Sequence, residues 1–279
     1  MNSLMLPETD RDRDGFFRLN WRYSTLYSKV MYLTKQKMII NRITEYDIKS
    51  ANTSSIKNRS KLKDDTIKLI EFLPSQYRKV LIGKIEKEDP SLKKTIANEI
   101  MMSKLLFFIA NEIVDDDILA IKNDAVFIVG RKAKTTSFGN ITFRPKNTYS
   151  MFLRLQGLEL YYDRVRDTVD IKGIRDEVLE EEDHKNGMLR FLSDVMRYMV
   201  FDRRDDLRKY LMRFTDDYKS MRLPLQYYRE LSRDNFYRTT MHTVSFELNL
   251  YQVSETDRDI INGIYNYKRF VLPMIQMFI

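Results

Sequence analysis

The sequence predicts an α+β protein, an antiparallel sheet with packed helices followed by a helical C-terminal region. Three observations predict it. Two short β-type runs, 43–52 (ITEYDIKSAN) and 119–130 (LAIKNDAVFIVG), each carry one aspartate where apolar residues give way to turn residues. Between them Ile96, Ile100, Met101, Leu105, Phe108, Ile109 and Ile113 recur at the spacing of one helix face. From Gly187 onward GMLRFLSDVMRYMVF and DLRKYLMRFTDDYKSM repeat that helical pattern.

Residues 1–15 carry the alternating charges DRDRD and predict a loose arm. Residues 16–40 mix aromatics, including the single tryptophan Trp21, with bases, and predict a basic aromatic helix. The first strand ends at Asp47, and Asn52–Lys63 (NTSSIKNRSKLK) reads as a polar, basic turn. Asp64–Phe72 predicts a helix with acids in its first turn, and Pro74 opens a second through QYRKVLIGKIEK. On that helix the spacing of Arg78, Lys79 and Lys84 allows several bases on one side. Asp89 and Pro90 form a cap and first residue for the long core helix.

Ile118–Ile121 and Ala125–Val129 predict a β-hairpin with Asp124 at its tip or first strand position. FGNITFRP, the run around 149–155 and LELYYD predict two or three further strands. Residues 163–186 are charged and predict a loop or exposed helix, EVLEEED being a solvated face. Beyond the two long helices come a turn at Pro224, LQYYRELS, and a final helix opening at Ser254–Asp257 in the manner of a capping box and running towards Pro273. The apolar tail MIQMFI is expected to dock on the core or on a partner chain. The division this implies is 1–40, an arm and basic aromatic helix; 41–165, a sheet core with inserted basic helices; and 166–279, a helical region.

Composition removes several function classes. The chain has 279 residues, no cysteine and two histidines, His184 and His242, so disulfides, thiol nucleophiles, zinc sites and a serine triad are not expected. The longest wholly apolar stretch, Leu105–Ala110, is too short to span a bilayer, and a cytoplasmic location without membrane contact is the expectation. Of the net charge of +8, residues 1–150 hold 27 Lys and Arg against 18 Asp and Glu, whereas residues 151–279 hold 21 against 22. The positive excess shares its half of the chain with both aspartates, and a phosphate-bearing partner suits such a surface. Two strands that bring Asp47 and Asp124 to one edge would suit Mg²⁺, which takes one or two carboxylates together with waters and substrate phosphates.

The order of these features resembles the palm of template-dependent nucleic-acid polymerases. YDIKSAN is similar to their first motif, an aspartate ending a strand before a tight turn, and IKNDAVFI to their third, an aspartate in a hairpin turn. RKVLIGKIEKEDPSLKKTIAN is similar to the fingers helix that holds the incoming triphosphate, with Lys94 and Asn98 spaced as in the family B pattern. The resemblance covers about residues 40–150 and implies a palm-like sheet in which Asp47 and Asp124 bind Mg²⁺, or Mn²⁺, for phosphoryl transfer on nucleoside triphosphates and nucleic acid. It implies that Arg78, Lys79, Lys84 and Lys94 neutralise phosphate charge and that Asn52 lies beneath the sugar, where a small residue admits ribonucleotides. Similar palm-like proteins occur in bacteriophage genomes, so a phage source is expected. Two alternatives stay open: a nucleic-acid-binding phage protein that keeps the fold without catalysis, and a phage structural or assembly protein. A phage partner protein or a second copy would then meet the C-terminal region.

Overall fold

The computed structural model describes residues 31–59, 62–231 and 265–279 and is of the α+β class. The arm, Trp21 and the start of the final helix at Ser254 lie outside the described residues. Strands β1 (Tyr32–Leu33) and β2 (Met38–Ile48) come first. Four helices follow, α1 (Ala51–Arg59), α2 (Asp64–Phe72), α3 (Ser75–Glu88) and α4 (Pro90–Ala110). Strands β3 (Ile118–Ile121), β4 (Ala125–Val129), β5 (Ser137–Phe138), β6 (Ile141–Leu155), β7 (Leu158–Asp163) and β8 (Thr168–Lys172) then complete the sheet. The later helices are α5 (Asp176–Leu179), α6 (Glu182–Asn186), α7 (Met188–Val200), α8 (Arg204–Lys219) and α9 (Leu272–Phe278). The sheet order is β1-β3-β4-β2-β6-β7-β8, with β5 pairing β6. The chain divides into two compact units, residues 1–35 with 42–148 and residues 36–41 with 149–279.

In the first unit β2 is central, with β4 antiparallel on one side and β6 on the other. Four helices separate β2 from β3, and β4 lies between those two strands, which makes a split β-α-β arrangement. Side chains alternate along β2, so Tyr46 and Ile48 enter the core beneath α4 while Glu45 and Asp47 point to the opposite face. Phe107 of α4 fills that core, its ring centroid 5.2 Å from Tyr46 and 4.5 Å from Phe143. Asp89 caps α4 by accepting from the Ser91 N–H at 2.9 Å, and Pro90 opens the helix, as the sequence predicts. A second cluster, Ile56, Ile70, Ile82, Leu92 and Ile96, joins the four helices to one another.

In the second unit the ends of β2 and β6 pair with each other, and β7 and β8 follow. The inner residues of β6 and β7, Met151, Leu153 and Leu160, are sealed by α7 and α8. The C-terminal tail docks on this core: Phe270, Val271 and Met274 are fully buried, and Ile275 and Phe278 pack against it.

Several expectations are corrected. Residues 38–40 are strand, not the end of a basic aromatic helix, because β2 pairs on both flanks and pairing outweighs local composition. The polar stretch after Ser50 is helix α1, not a turn. Its hydroxyls bond its own neighbourhood, Ser54 Oγ to the Lys49 carbonyl and Ser55 Oγ to the Ala51 carbonyl, while Ile56 is buried. The regions read as separate strands around 141–155 are one strand running through Pro145. Within 163–186, Val169 and Ile171 build strand β8, held by its turn residue Asp167, which adopts φ 53°. Asp167 accepts from Tyr162 Oη, Ser193 Oγ and Arg197 Nη1, so the charges there tie a hairpin to α7. Among its described residues LQYYRELS supplies one 3₁₀ turn, Leu225–Tyr227, and Pro273 lies inside α9 after a π-turn, Tyr267–Val271.

Candidate two-carboxylate site

The pairing of β2 with β4 sets Asp47 opposite Ala125, and the Ile48 N–H donates to the Asp124 carbonyl at 2.9 Å. Asp124 closes the turn between β3 and β4, so a residue 77 positions away in the chain becomes the neighbour of Asp47 across one strand gap. On the other flank the Lys49 N–H bonds the Thr142 carbonyl. That register puts Arg144 beside Asp47, their charged atoms 3.5 Å apart, and Lys146 beside Glu45 at 3.8 Å. Glu45 is 4% exposed and accepts from Asn147 Nδ2 at 2.8 Å. The outer face of the sheet therefore carries a polar strip, Glu45, Asp47, Arg144 and Lys146, with Asp124 at its end.

The electrostatics of the strip are uneven. Asp47 is held above the usual carboxylate value, first by burial and then by the negative charge of Asp124; Lys146 and Arg144 pull the other way. From the helix side, Lys104 reaches the same turn. It is 2% exposed, and its Nζ donates to the carbonyls of Lys122 (3.0 Å) and Asn123 (3.2 Å). Burial pushes its ammonium down to about 8, opposed by the charge of Asp124. Lys104 thus holds the tip of the hairpin by two backbone carbonyls.

Of the residues singled out from sequence, the structure brings Asp47 and Asp124 together. Asn52 is exposed at the second position of α1. Arg78 donates through Nη2 to the carbonyls of Glu71 and Leu73, closing the end of α2. Lys79 and Lys84 are exposed on α3, and Lys94 is exposed near the start of α4. The charges acting on Asp47 come instead from Asp124, Lys146 and Arg144. Among the described residues no group of three or more His, Cys, Asp or Glu is arranged to hold a metal, so any ion here would rest on two carboxylates.

Sequence reasoning missed Lys104, Arg144, Lys146 and Glu45. A signal existed for each: Lys104 is the one charge in SKLLFFIA, Arg144 and Lys146 flank Pro145 two apart on a strand, and Glu45 precedes Asp47 by one strand repeat. The model of one family, described as the bacteriophage PBS1 gene 130 protein, matches residues 22–279. No curated protein matches the chain.

Proposed function

The chain belongs to the bacteriophage PBS1 gene 130 protein family, and from the paired carboxylates and the basic charge around them we propose that it is a small palm-type nucleotidyltransferase, a nucleic-acid polymerase or primase working in the host cytoplasm. The observation that carries the reading is that Asp47 and Asp124 stand at the same end of the adjacent strands β2 and β4, close enough that the charge of Asp124 raises the pKa of Asp47. The residues fit Mg²⁺ or Mn²⁺: both donors are carboxylates, and a cation relieves their repulsion. Asp47 and Asp124 would hold such an ion, and it would supply charge neutralisation at the transferring phosphoryl group.

The chain's own residues have distinct tasks in this reading. Asp47 and Asp124 hold the ion, and Lys104 keeps the Asp124 turn in place. Arg144 and Lys146 meet the substrate's phosphates first, since they already act on Asp47. Lys79, Lys84 and Lys94 add exposed positive charge on α3 and α4, whereas Arg78 is engaged with α2. Asn52 sits beneath the sugar and tolerates a ribose hydroxyl, to which its amide offers both a donor and an acceptor.

The test is metal-dependent nucleotide incorporation on a primed template. Asp47→Asn and Asp124→Asn should each reduce it at least about a hundredfold, roughly 3 kcal/mol of barrier, while leaving thermal unfolding near wild type. Full activity in either variant rejects the site, and an unchanged ribose-to-deoxyribose preference in Asn52→Tyr rejects the sugar role. One observation favours a second reading, a nucleic-acid-binding phage protein without catalysis: Arg144 is already paired with Asp47. Tight binding of nucleic acid by a wild type that incorporates nothing in Mg²⁺ or Mn²⁺ would select it.

A further inference from the structure

Helices α2 and α3 meet at Leu73–Pro74 and turn an unusual face to solvent. Phe72 is 88% and Tyr77 66% exposed, and Leu69 and Val80 are each more than half exposed. The inner faces of both helices are already filled by Ile70 and Ile82, so these four side chains are not left over from core packing. They fall on one strip of each helix, Leu69 and Phe72 three apart on α2, and Tyr77, Val80 and Lys84 at helical spacing on α3. Bases interleave them. Lys84 and Lys87 lie on that side of α3 and form no ion pair among the described residues, and Lys68 only approaches Asp65 at 3.9 Å. Asp65 and Glu88 are the acids beside the strip.

An exposed apolar patch of this kind marks a binding surface, and its chemistry selects the occupant. Lysine is depleted from the centres of protein interfaces, where it would be desolvated without a partner. Flat rings alternating with ammonium groups match a single strand instead: unpaired bases stack on the aromatics and the phosphates meet the lysines. A duplex hides its base faces and gains only the second of these. We propose that the α2–α3 face binds single-stranded nucleic acid, with bases on Phe72 and Tyr77 and phosphates on Lys68, Lys84 and Lys87. The inference rests on the polymerising reading only for which strand is held, since binding itself needs no catalysis.

The experiment is fluorescence anisotropy of the full chain with labelled oligo-dT about 20 nucleotides long, beyond the site size of one such surface, and with a duplex of equal length. Phe72→Ala with Tyr77→Ala should weaken single-strand binding about tenfold or more, as the loss of two stacked bases implies, and leave its salt dependence unchanged. Lys84→Gln with Lys87→Gln should lower the slope of log affinity against log salt by about 1.4, at ~0.7 per phosphate on a single strand. All four side chains are exposed, so circular dichroism should match wild type for both variants. Wild-type affinity in the aromatic variant overturns the proposal. So does a wild type that binds no strand, prefers duplex, or self-associates through this face so that the aromatic variant changes only its sedimentation. Asp47→Asn and Asp124→Asn should bind oligo-dT as wild type does, so failure of the carboxylate site and failure of this face read out separately.

Discussion

Lys104 sits where α4 passes beneath the hairpin tip, donating to two backbone carbonyls, and its burial outweighs the opposite charge of Asp124. Its ammonium therefore titrates near pH 8 in the folded protein and near 10.5 in the unfolded chain. Below about pH 8 both states hold the proton and folding bears the burial cost in full. Between the two values the unfolded chain holds the proton that the folded one has released, so stability rises with pH. The stability of wild type relative to Lys104→Met should accordingly grow by on the order of 1–2 kcal/mol from pH 8 to 10, measured as urea unfolding at each pH. A flat difference would show that Lys104 does not titrate there. Asp47 shifts in the opposite sense for a carboxylate, its raised value meaning that the contribution is present at low pH and is lost as the pH rises through the folded value. No single window of pH suits both groups.

At the scale of elements, close approach decides where α7 can start. Gly187 precedes it, and a methyl group there would overlap the backbone carbonyl of Gln226 and crowd that of Asp183. Neither can swing aside as a side chain could. Gly187→Ala should destabilise the protein by on the order of 3 kcal/mol, read as a lowered urea midpoint, and a wild-type midpoint would show that the approach is looser than the geometry implies. Nothing in GMLRFL announces that crowding, because Gln226 lies 39 residues on. Legibility follows the same division elsewhere. The cap at Asp89–Pro90 and the hairpin at Lys122–Asp124 were readable because their causes are local. Helix α1 was not, since its stability comes from Ile56 meeting Ile70, Ile82, Leu92 and Ile96. Strand β8 offers only Val169 and Ile171 among charges, too short an alternation to outweigh them without its anchor on α7. Asp47 and Asp124 were singled out by their places at the ends of apolar runs, whereas Arg144 and Lys104 depend on register and on a helix crossing that no short motif encodes.

For the molecule as a whole, the central place of β2 has a consequence in time. Asp47 and Arg144 are 97 residues apart in the chain, and all four helices are made before either neighbour of β2 exists. The helices can gain local structure early, but the strand must remain an unpaired edge until β4 and then β6 arrive. Long closures of this kind slow folding, and an open edge invites wrong partners meanwhile. In pulsed hydrogen exchange during refolding, amides of α4 should become protected before those of Thr44–Ile48; simultaneous protection would mean that the sheet forms in one step with the helix. The two carboxylates become neighbours only once β2 pairs with β4, and Arg144 and Lys146 join them only with β6, so every misregistered or waiting chain lacks the complete site. Catalytic competence would then serve as a clock for the completion of folding.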